Sequence, residues 1–490
     1  MADVTASLKD YSMMEVICDR GISAELSEYF SFFVPGYKFM PAFKNRIWDG
    51  KIRLFNSLAR ELNAGLFVYL IEFCKNNNYT IDIEESDYGF PFASKQIDRE
   101  GLLEFYKHLK LPYEVRDYQH DAIATALDRQ RGVFVSPTGS GKSLIIYGLT
   151  RHILGTDKGK ILIVVPTTSL VEQLHKDFID YGWDGEKVHK IYSGKDKTTN
   201  KRVIISTWQS IYKFPKAWFE QFIGVIGDEC HGFKSKSLSS IMNKSTEAKY
   251  RFGTTGTLDG TLTHKLVLEG LFGPVYQVTK TKKLQDDGTL APLEITVLNL
   301  LYSETTRENF GSQTYQDEID FIIKHEKRNK FIRNLSLSQK GNTLVLFHRV
   351  EKHGEVLRDL IQDKAADGRK VFFVSGKVAT DDREAIRRIV ETQQDAIIVA
   401  SMGTFSTGIN IRNLHNIIFA SPNKSQIRVL QSIGRGLRKS DDGSTTQLFD
   451  ISDDLHWRTR KNFTLLHCFE RVKIYQQEQF NYKVTQVNIE

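Results

Sequence analysis

Long apolar runs are missing from this sequence. The longest, such as 161–165 and 396–400, stop far short of the ~18–20 residues that a membrane-spanning helix needs. The opening stretch MADVTASLKDYS has no apolar core of the kind a signal peptide carries. A soluble, cytoplasmic protein with no membrane partner is therefore expected. Cysteine is scarce: Cys18, Cys74, Cys230 and Cys468 lie far apart and include no CxxC pair, against a disulfide framework and against a structural zinc site. The 13 histidines show no metal-ligand spacing either. Glycine (34) and proline (10) are too few for a collagen or a low-complexity linker. What is present, 40% hydrophobic and 26% charged residues, suffices for real cores. At roughly 100–200 residues per domain, the length implies two to four of them.

Charge is close to balanced overall but unevenly placed. Residues 1–112 carry 13 Lys+Arg and 16 Asp+Glu, a balance of −3, so the remainder must carry +10 to reach the net +7. Positive charge thus sits in the larger part, as expected if that part follows a phosphate backbone.

From residue 132 onward a short, β-branched apolar run is followed by a turn and a helical stretch, repeatedly. Runs at 132–136, 161–165, 203–206, 222–227 and 250–253 form one set, and runs at 343–347, 371–375, 396–401, 416–421 and 447–451 a second. Near-continuous apolar runs fit strands buried on both faces, and their alternation with helices predicts parallel sheets in βαβ units. The stretch 280–340 lacks the rhythm and reads as a junction between two α/β domains, 111–285 and 286–452. Residues 1–110 read as a separate α+β unit, with strands at 51–55 and 79–83 and helices at 64–75 and 99–109. Residues 453–490 read as a helical extension, helical through Arg471, packed back on the second α/β domain.

Residues 136–143 spell SPTGSGKS between an apolar strand and a helix-like LIIYGLTRHIL. This is the setting of a phosphate-binding loop: Gly139 and Gly141 let the backbone curl so that its N–H groups face phosphate oxygens, at a helix N-terminus that favours an anion. Pro137, Thr138 and Ser140 complete the loop, Lys142 adds a point charge for the β/γ phosphates, and Ser143 is placed to ligate Mg²⁺. Ser136 stands where the strict pattern has its first glycine. Downstream, residues 225–231 spell VIGDECH, an apolar strand ending in Asp228 and Glu229. An Asp at such a strand end holds Mg²⁺ in P-loop NTPases, and the adjacent Glu can polarise an attacking water. ATP and Mg²⁺ are the expected cofactors.

The DECH sequence resembles the DExH box of superfamily 2 helicases, and other elements follow in that family's order. Arg116-Asp117-Tyr118-Gln119 resembles its adenine-reading motif, residues 166–170 motif Ia, 206–209 motif Ib and Thr255-Gly256-Thr257 motif III. Residues 346–349 resemble motif IV, Ser406-Thr407-Gly408-Ile409-Asn410 motif V and 431–438 motif VI, the QxxGRxxR pattern from Gln431 through Arg435 to Arg438. The resemblance covers about 113–450 and implies two tandem RecA-like parallel-sheet domains beside the small α+β N-terminal domain. It implies that Arg116 and Gln119 serve adenine, that Gly408 and Asn410 contact the nucleotide, and that His231, Thr255, Thr257 and Gln431 couple hydrolysis to movement. Gly256 departs from the usual Ala of motif III, and Asn410 from the usual Asp of motif V. Arg435 and Arg438, three apart on one helix face, belong to the second domain and can serve a phosphate only on domain closure; surface salt bridges are their alternative role.

Hydroxyls in motifs Ia, Ib and V, namely Thr168, Ser169, Thr207, Ser406 and Thr407, fit phosphate contacts that position a strand without reading sequence. Local helix capping is the other use of such residues. Near the N-terminus, Lys44, Arg46, Lys51 and Arg53 interleave with Tyr37, Phe39, Phe43, Trp48 and Phe55. That pattern suits nucleic acid, and equally a half-buried hairpin turning at Asp49-Gly50. The segment after 453 is also basic; Trp457 and Phe463 are read there as packing residues in preference to a strand-separating wedge. Within the superfamily, the whole-chain likeness is to a recombination and fork-rescue helicase. This implies an ATP-dependent DNA helicase acting as a monomer on branched or forked DNA, with R-loop RNA held open as a partner. An RNA helicase, or a duplex-DNA translocase that separates no strands, remains open beside it.

Overall fold

A computed structural model describes residues 2–91, 94–192, 196–311, 313–376, 380–404, 413–421, 425–437 and 445–490. The chain divides into two compact units, one of residues 1–136 and 141–278, the other of 279–490 with the short segment 137–140. Among the described residues, no helix is long and apolar enough to cross a membrane.

The first unit begins with an α+β layer. Strands β1 (Val4–Leu8), β2 (Met13–Cys18), β3 (Ser31–Phe33), β4 (Lys51–Arg53), β5 (Phe55–Asn56), β6 (Glu61–Asn63) and β7 (Ile81–Glu84) form a five-stranded sheet, β5-β6-β2-β1-β7, and a separate β3-β4 ladder. Strand β1 buries alternate residues, Val4, Ala6 and Leu8, against Leu26, Phe30, Leu70 and Phe73 of the helices Arg20–Tyr29 and Phe67–Asn76 and the residue that follows the first, the period-two pattern of a half-covered sheet. The expected hairpin about Asp49-Gly50 is corrected. Ser31↔Arg53 and Phe33↔Lys51 pair antiparallel, and residues 34–50 form an excursion with short helices at Tyr37–Phe39 and Pro41–Lys44.

This layer is seated firmly on the sheet that follows. Tyr11 N–H donates to the Thr246 carbonyl at 3.1 Å and Ser12 Oγ to the Met242 carbonyl at 3.4 Å; fully buried Arg251, held within the sheet part by the carbonyls of Met242, Ser245 and Leu271, reaches Ser12 Oγ at 3.5 Å. Tyr69 OH donates to Glu269 Oε2 at 2.6 Å. At Gly65 a Cβ would lie 1.9 Å from the Glu269 carbonyl oxygen, so only glycine lets the two backbones meet.

Strands β8 (Arg131–Val135), β9 (Lys160–Val165), β10 (Val188–Ile191), β11 (Val203–Thr207), β12 (Phe222–Asp228), β13 (Tyr250–Thr255) and β14 (Val275–Gln277) form a parallel sheet in the order β10-β11-β9-β12-β13-β8-β14. Every residue of β8, β11 and β13 is buried, which is why these strands read as apolar runs. The order places β12, β13 and β8 side by side, so the loops leaving their carboxyl ends converge.

The second unit holds β15 (Leu293–Leu301), β16 (Thr343–Phe347), β17 (Val371–Val374), β18 (Ile397–Ser401), β19 (Asn416–Phe419), β20 (Thr446–Asp454) and β21 (Asn481–Asn488), parallel and ordered β17-β18-β16-β19-β20-β15-β21. All ten apolar runs singled out in the sequence are strands. Two expectations are corrected. The stretch 280–340 contains the nine-residue strand β15, which belongs to this sheet. The segment after 453 is not wholly helical: the helix Phe463–Gln477 leads into β21, which pairs with β15. Its sequence, NYKVTQVN, is polar because an edge strand leaves most of its residues in solvent.

Candidate functional site

The loop after β8 runs from Ser136, whose N–H donates to Thr255 O at 2.8 Å, to the helix Lys142–Thr156. Within it, Ser140 Oγ donates to Pro137 O at 2.6 Å. Gly139 and Gly141 take φ of +84° and +83°, the left-handed region a curled phosphate loop requires. A Cβ on Gly141 would meet Gln119 Nε2 at 2.3 Å, which sets Gln119 against the loop. Gln119 Oε1 in turn accepts from Arg116 N–H at 3.0 Å, and Arg116 Nη1 donates to Tyr118 OH at 2.7 Å.

Strand β12 delivers the acidic pair. Asp228 is opposite Thr254 in the parallel register, and Thr254 Oγ1 donates to Asp228 Oδ1 at 2.8 Å. Glu229 then turns through φ +50° into the short helix Cys230–Lys234. Its Oε1 lies 3.0 Å from Lys142 Nζ, and its Oε2 lies 3.3 Å from His231 Nδ1. That His231 nitrogen is also 3.0 Å from Thr255 Oγ1, and Thr255 Oγ1 donates to Thr257 O at 3.1 Å. One continuous chain of polar contacts therefore links Lys142, Glu229, His231, Thr255 and Thr257.

Electrostatics distinguish the two carboxylates. Burial pushes the Asp228 carboxyl above its ordinary range, against the pull of Lys142 and with the help of Glu229. Burial acts on Glu229 too, but Lys142 and His231 outweigh it and hold that carboxyl well below the usual range. The two side chains expected to hold a metal, the Asp228 carboxylate and the Ser143 hydroxyl, offer oxygens only, a set that suits a hard cation; Ser143 Oγ is hydrogen-bonded to Tyr181 OH. Among the described residues, no cluster of three or more His, Cys, Asp and Glu could hold a metal by itself.

The remaining candidate residues are placed less uniformly. Thr168 is exposed and Ser169 half-buried at the start of the helix Thr168–Asp180, whose cap is Thr167, accepting from Leu170 N–H. Thr207 is buried and shares a 2.9 Å hydrogen bond with Ser210 Oγ. Lys44 and Arg46 are exposed beside a cleft of about 520 Å³ lined also by Lys38, Phe43, Ile47, Trp48 and the carboxylate-bearing Asp49. Lys51 instead pairs with Glu28 at 3.0 Å, and Arg53 with Asp49. Gln431 is half-buried on the helix Gln426–Gly436, which also carries Arg435. The Arg435 side chain, Arg438, Ser406, Thr407, Gly408 and Asn410 lie outside the described residues. Tyr181, 2.8 Å from Ser143 Oγ, and Thr254 carried no sequence signal. Nor did Asp259, which is ion-paired with Lys234 (2.7 Å) and His264.

Two parallel sheets, with a phosphate loop after β8 and an Asp-Glu pair at the end of β12 on either side of β13, define a helicase-type ATPase of superfamily 2. Family models match in three places. They are the type III restriction enzyme, res subunit, over residues 112–260; the N-terminal part of DNA helicase UvsW over 3–84; and the helicase conserved C-terminal domain over 326–440. The ATP-dependent DNA helicase uvsW of Enterobacteria phage T4 is 36% identical over 507 aligned positions, 99% of this chain and 100% of that protein. The DNA 3'-5' translocase XPB2 of Sulfurisphaera tokodaii is 25% identical over 71% of this chain and 85% of its own length. The crystal structure of T4 UvsW matches with a TM-score of 0.51 at 32% identity, covering both chains completely. This chain belongs to the UvsW family of DNA helicases.

Proposed function

We propose that this ATP-dependent DNA helicase unwinds or migrates branched DNA, including forks, Holliday junctions and D-loops, with R-loops as a further substrate. The observation that carries the reading is the likeness to the phage helicase over the whole chain, N-terminal layer included, joined to an ATP site whose Lys142, Asp228 and Glu229 are all present. In this reading Pro137, Thr138, Gly139, Ser140 and Gly141 cradle the phosphates with Lys142. Ser143 and Asp228 hold Mg²⁺, which supplies charge neutralisation at the phosphates. Glu229 takes a proton from the attacking water, passing its influence to Thr255 and Thr257 through His231. Arg435 and Arg438 stabilise the transferring phosphate, Arg116 and Gln119 bind adenine, Gly408 and Asn410 contact the nucleotide, and Gln431 couples hydrolysis to movement.

Thr168, Ser169, Thr207, Ser406 and Thr407 contact the strand backbone, and Lys44, Arg46, Lys51 and Arg53 present the N-terminal layer to DNA. The protein works as a monomer in the host cytoplasm. The test is steady-state ATPase activity without nucleic acid and with single-stranded DNA, a four-way junction, blunt duplex and RNA. Strongest stimulation by the junction supports the reading; stimulation by RNA alone overturns it. The relative described as a DNA 3'-5' translocase favours a second reading, movement along duplex without strand separation. Triplex displacement without unwinding of a fork would select it.

A further inference from the structure

The helix that follows β20 packs back on its sheet through buried Leu465, Cys468, Arg471 and Tyr475, but Phe463, read from the sequence as a packing residue, is exposed. Phe463, Leu466 and Phe469 follow one another at i, i+3 and i+6 along the helix Phe463–Gln477 and are 42%, 42% and 41% exposed. Beside them, Trp457 and Arg460 close a tight turn through reciprocal backbone hydrogen bonds of 3.0 Å, with Arg458 at φ +53° and exposed. Arg458 lies over the Trp457 ring (5.7 Å), and Lys461 over the Phe469 ring (5.2 Å). No acidic residue occurs between Leu455 and Phe469; the first one beyond, Glu470, is paired with Lys473 at 2.8 Å.

This surface is held rigidly. The buried carboxylate of Glu318 accepts from the N–H of Phe463 (2.9 Å) and of Thr464 (2.7 Å), from Thr464 Oγ1 (2.7 Å) and from Asn462 Nδ2 (2.8 Å). It thereby pins the helix Phe463–Gln477 to the helix Tyr315–Lys324. The position matters too. Strands β16 and β20 both run parallel to β19, so the turn leaves the same carboxyl edge of the sheet as His348 and Arg349. Ligands of open α/β sheets gather at that edge. Arg349 Nη2 reaches Gln316 Oε1 at 2.7 Å, and the next residue back, Tyr315, meets Phe463 edge to face at 5.9 Å. Aromatic and basic side chains thus continue from Arg349 to Phe469.

We propose that this surface is a second DNA-contact site, on which a single-stranded segment stacks its bases against Phe463 and Phe469 while Arg458 and Lys461 hold its phosphates. The single-signed charge selects a polyanion over an apolar protein partner, and exposed rings select unpaired bases over duplex. The proposal rests on the DNA-motor reading and extends it to a surface outside the helicase motifs.

The test is anisotropy of labelled oligo(dT) with the full chain, across a salt series, for wild type, Phe463→Ala/Phe469→Ala and Arg458→Glu/Lys461→Glu. The aromatic variant should bind at least about thirtyfold more weakly, at ~1 kcal/mol or more for each lost stacking ring. The charge variant should also bind more weakly, with a salt slope smaller by about 1.4, at ~0.7 for each phosphate that is no longer neutralised. DNA-independent ATPase activity and melting temperature should not change in either. Wild-type affinity in both variants overturns the surface and leaves the motor reading standing. Absence of oligo(dT) binding and of DNA-stimulated ATPase in the wild type overturns both.

Discussion

Glu229→Gln is expected to tighten nucleotide binding while removing turnover. Lys142 Nζ lies 3.0 Å from Glu229 Oε1, with side chains only 16% and 22% exposed. A lysine that serves phosphates has to leave this carboxylate. A charge-assisted hydrogen bond in such a setting is worth about 1.5–3 kcal/mol. Glutamine retains an oxygen acceptor but no charge, so roughly half of that cost disappears, about 0.75–1.5 kcal/mol, or roughly three- to thirteenfold in Kd. Loss of the base removes about 10²–10⁴ from kcat. Equilibrium titration with a fluorescent ATP analogue, beside steady-state hydrolysis on junction DNA, reads both. Turnover lost with unchanged or weaker nucleotide affinity would refute the competition between carboxylate and phosphate for Lys142.

Asp453→Asn should destabilise the second unit by about 3–5 kcal/mol, because it leaves the fully buried Arg328, now held at 2.6 and 2.9 Å, without its counter-charge; urea midpoints measure this. His353 supplies a pH dependence. Burial, then Arg328 and His348, lower its pKa to about 3. Below about pH 6.5 the unfolded chain takes up a proton that the native state refuses, so stability falls as pH drops, by about 1.4 kcal/mol per unit. His353→Asn should flatten the melting temperature between roughly pH 6.5 and 4.5; an unchanged profile would show that another group dominates. Gly65→Ala should cost about 3 kcal/mol, since its methyl would overlap the Glu269 carbonyl; limited proteolysis should then release the N-terminal layer, and an intact chain would count against the reasoning.

The sequence made the central strands plain because burial on both faces fills them mainly with apolar residues, as in β9, β12 and β16. It hid β21, whose side chains mostly face water, and β15, which sat in a stretch judged by its charged flanks. Lys142, Asp228 and Glu229 could be named from local pattern. That they meet follows from the strand order β12-β13-β8, a long-range fact with no local signature. Thr254 is bound to Asp228 through sheet register alone, and Tyr181 reaches Ser143 from the end of another helix. The basic aromatic stretch from Tyr37 to Phe55 was visible as composition. Its use was not: Phe55 went to the core and Phe39 to solvent, while Phe43, Lys44, Arg46 and Trp48 line the cleft and Lys51 and Arg53 are held in ion pairs.

The contact at Gly65 also bears on how force is passed on. Two side chains in contact slide past one another by changing rotamers; two backbones in contact have no such freedom. The seam is tied at further points, where Tyr11 N–H donates to the Thr246 carbonyl, Tyr88 OH to Glu247 and Tyr69 OH to Glu269. The N-terminal layer and the sheet bearing Lys142 therefore have no slack between them. The layer therefore moves as one body with the first motor sheet and with Lys142, which that sheet's helix carries. The give in the machine must be sought at other places along the chain.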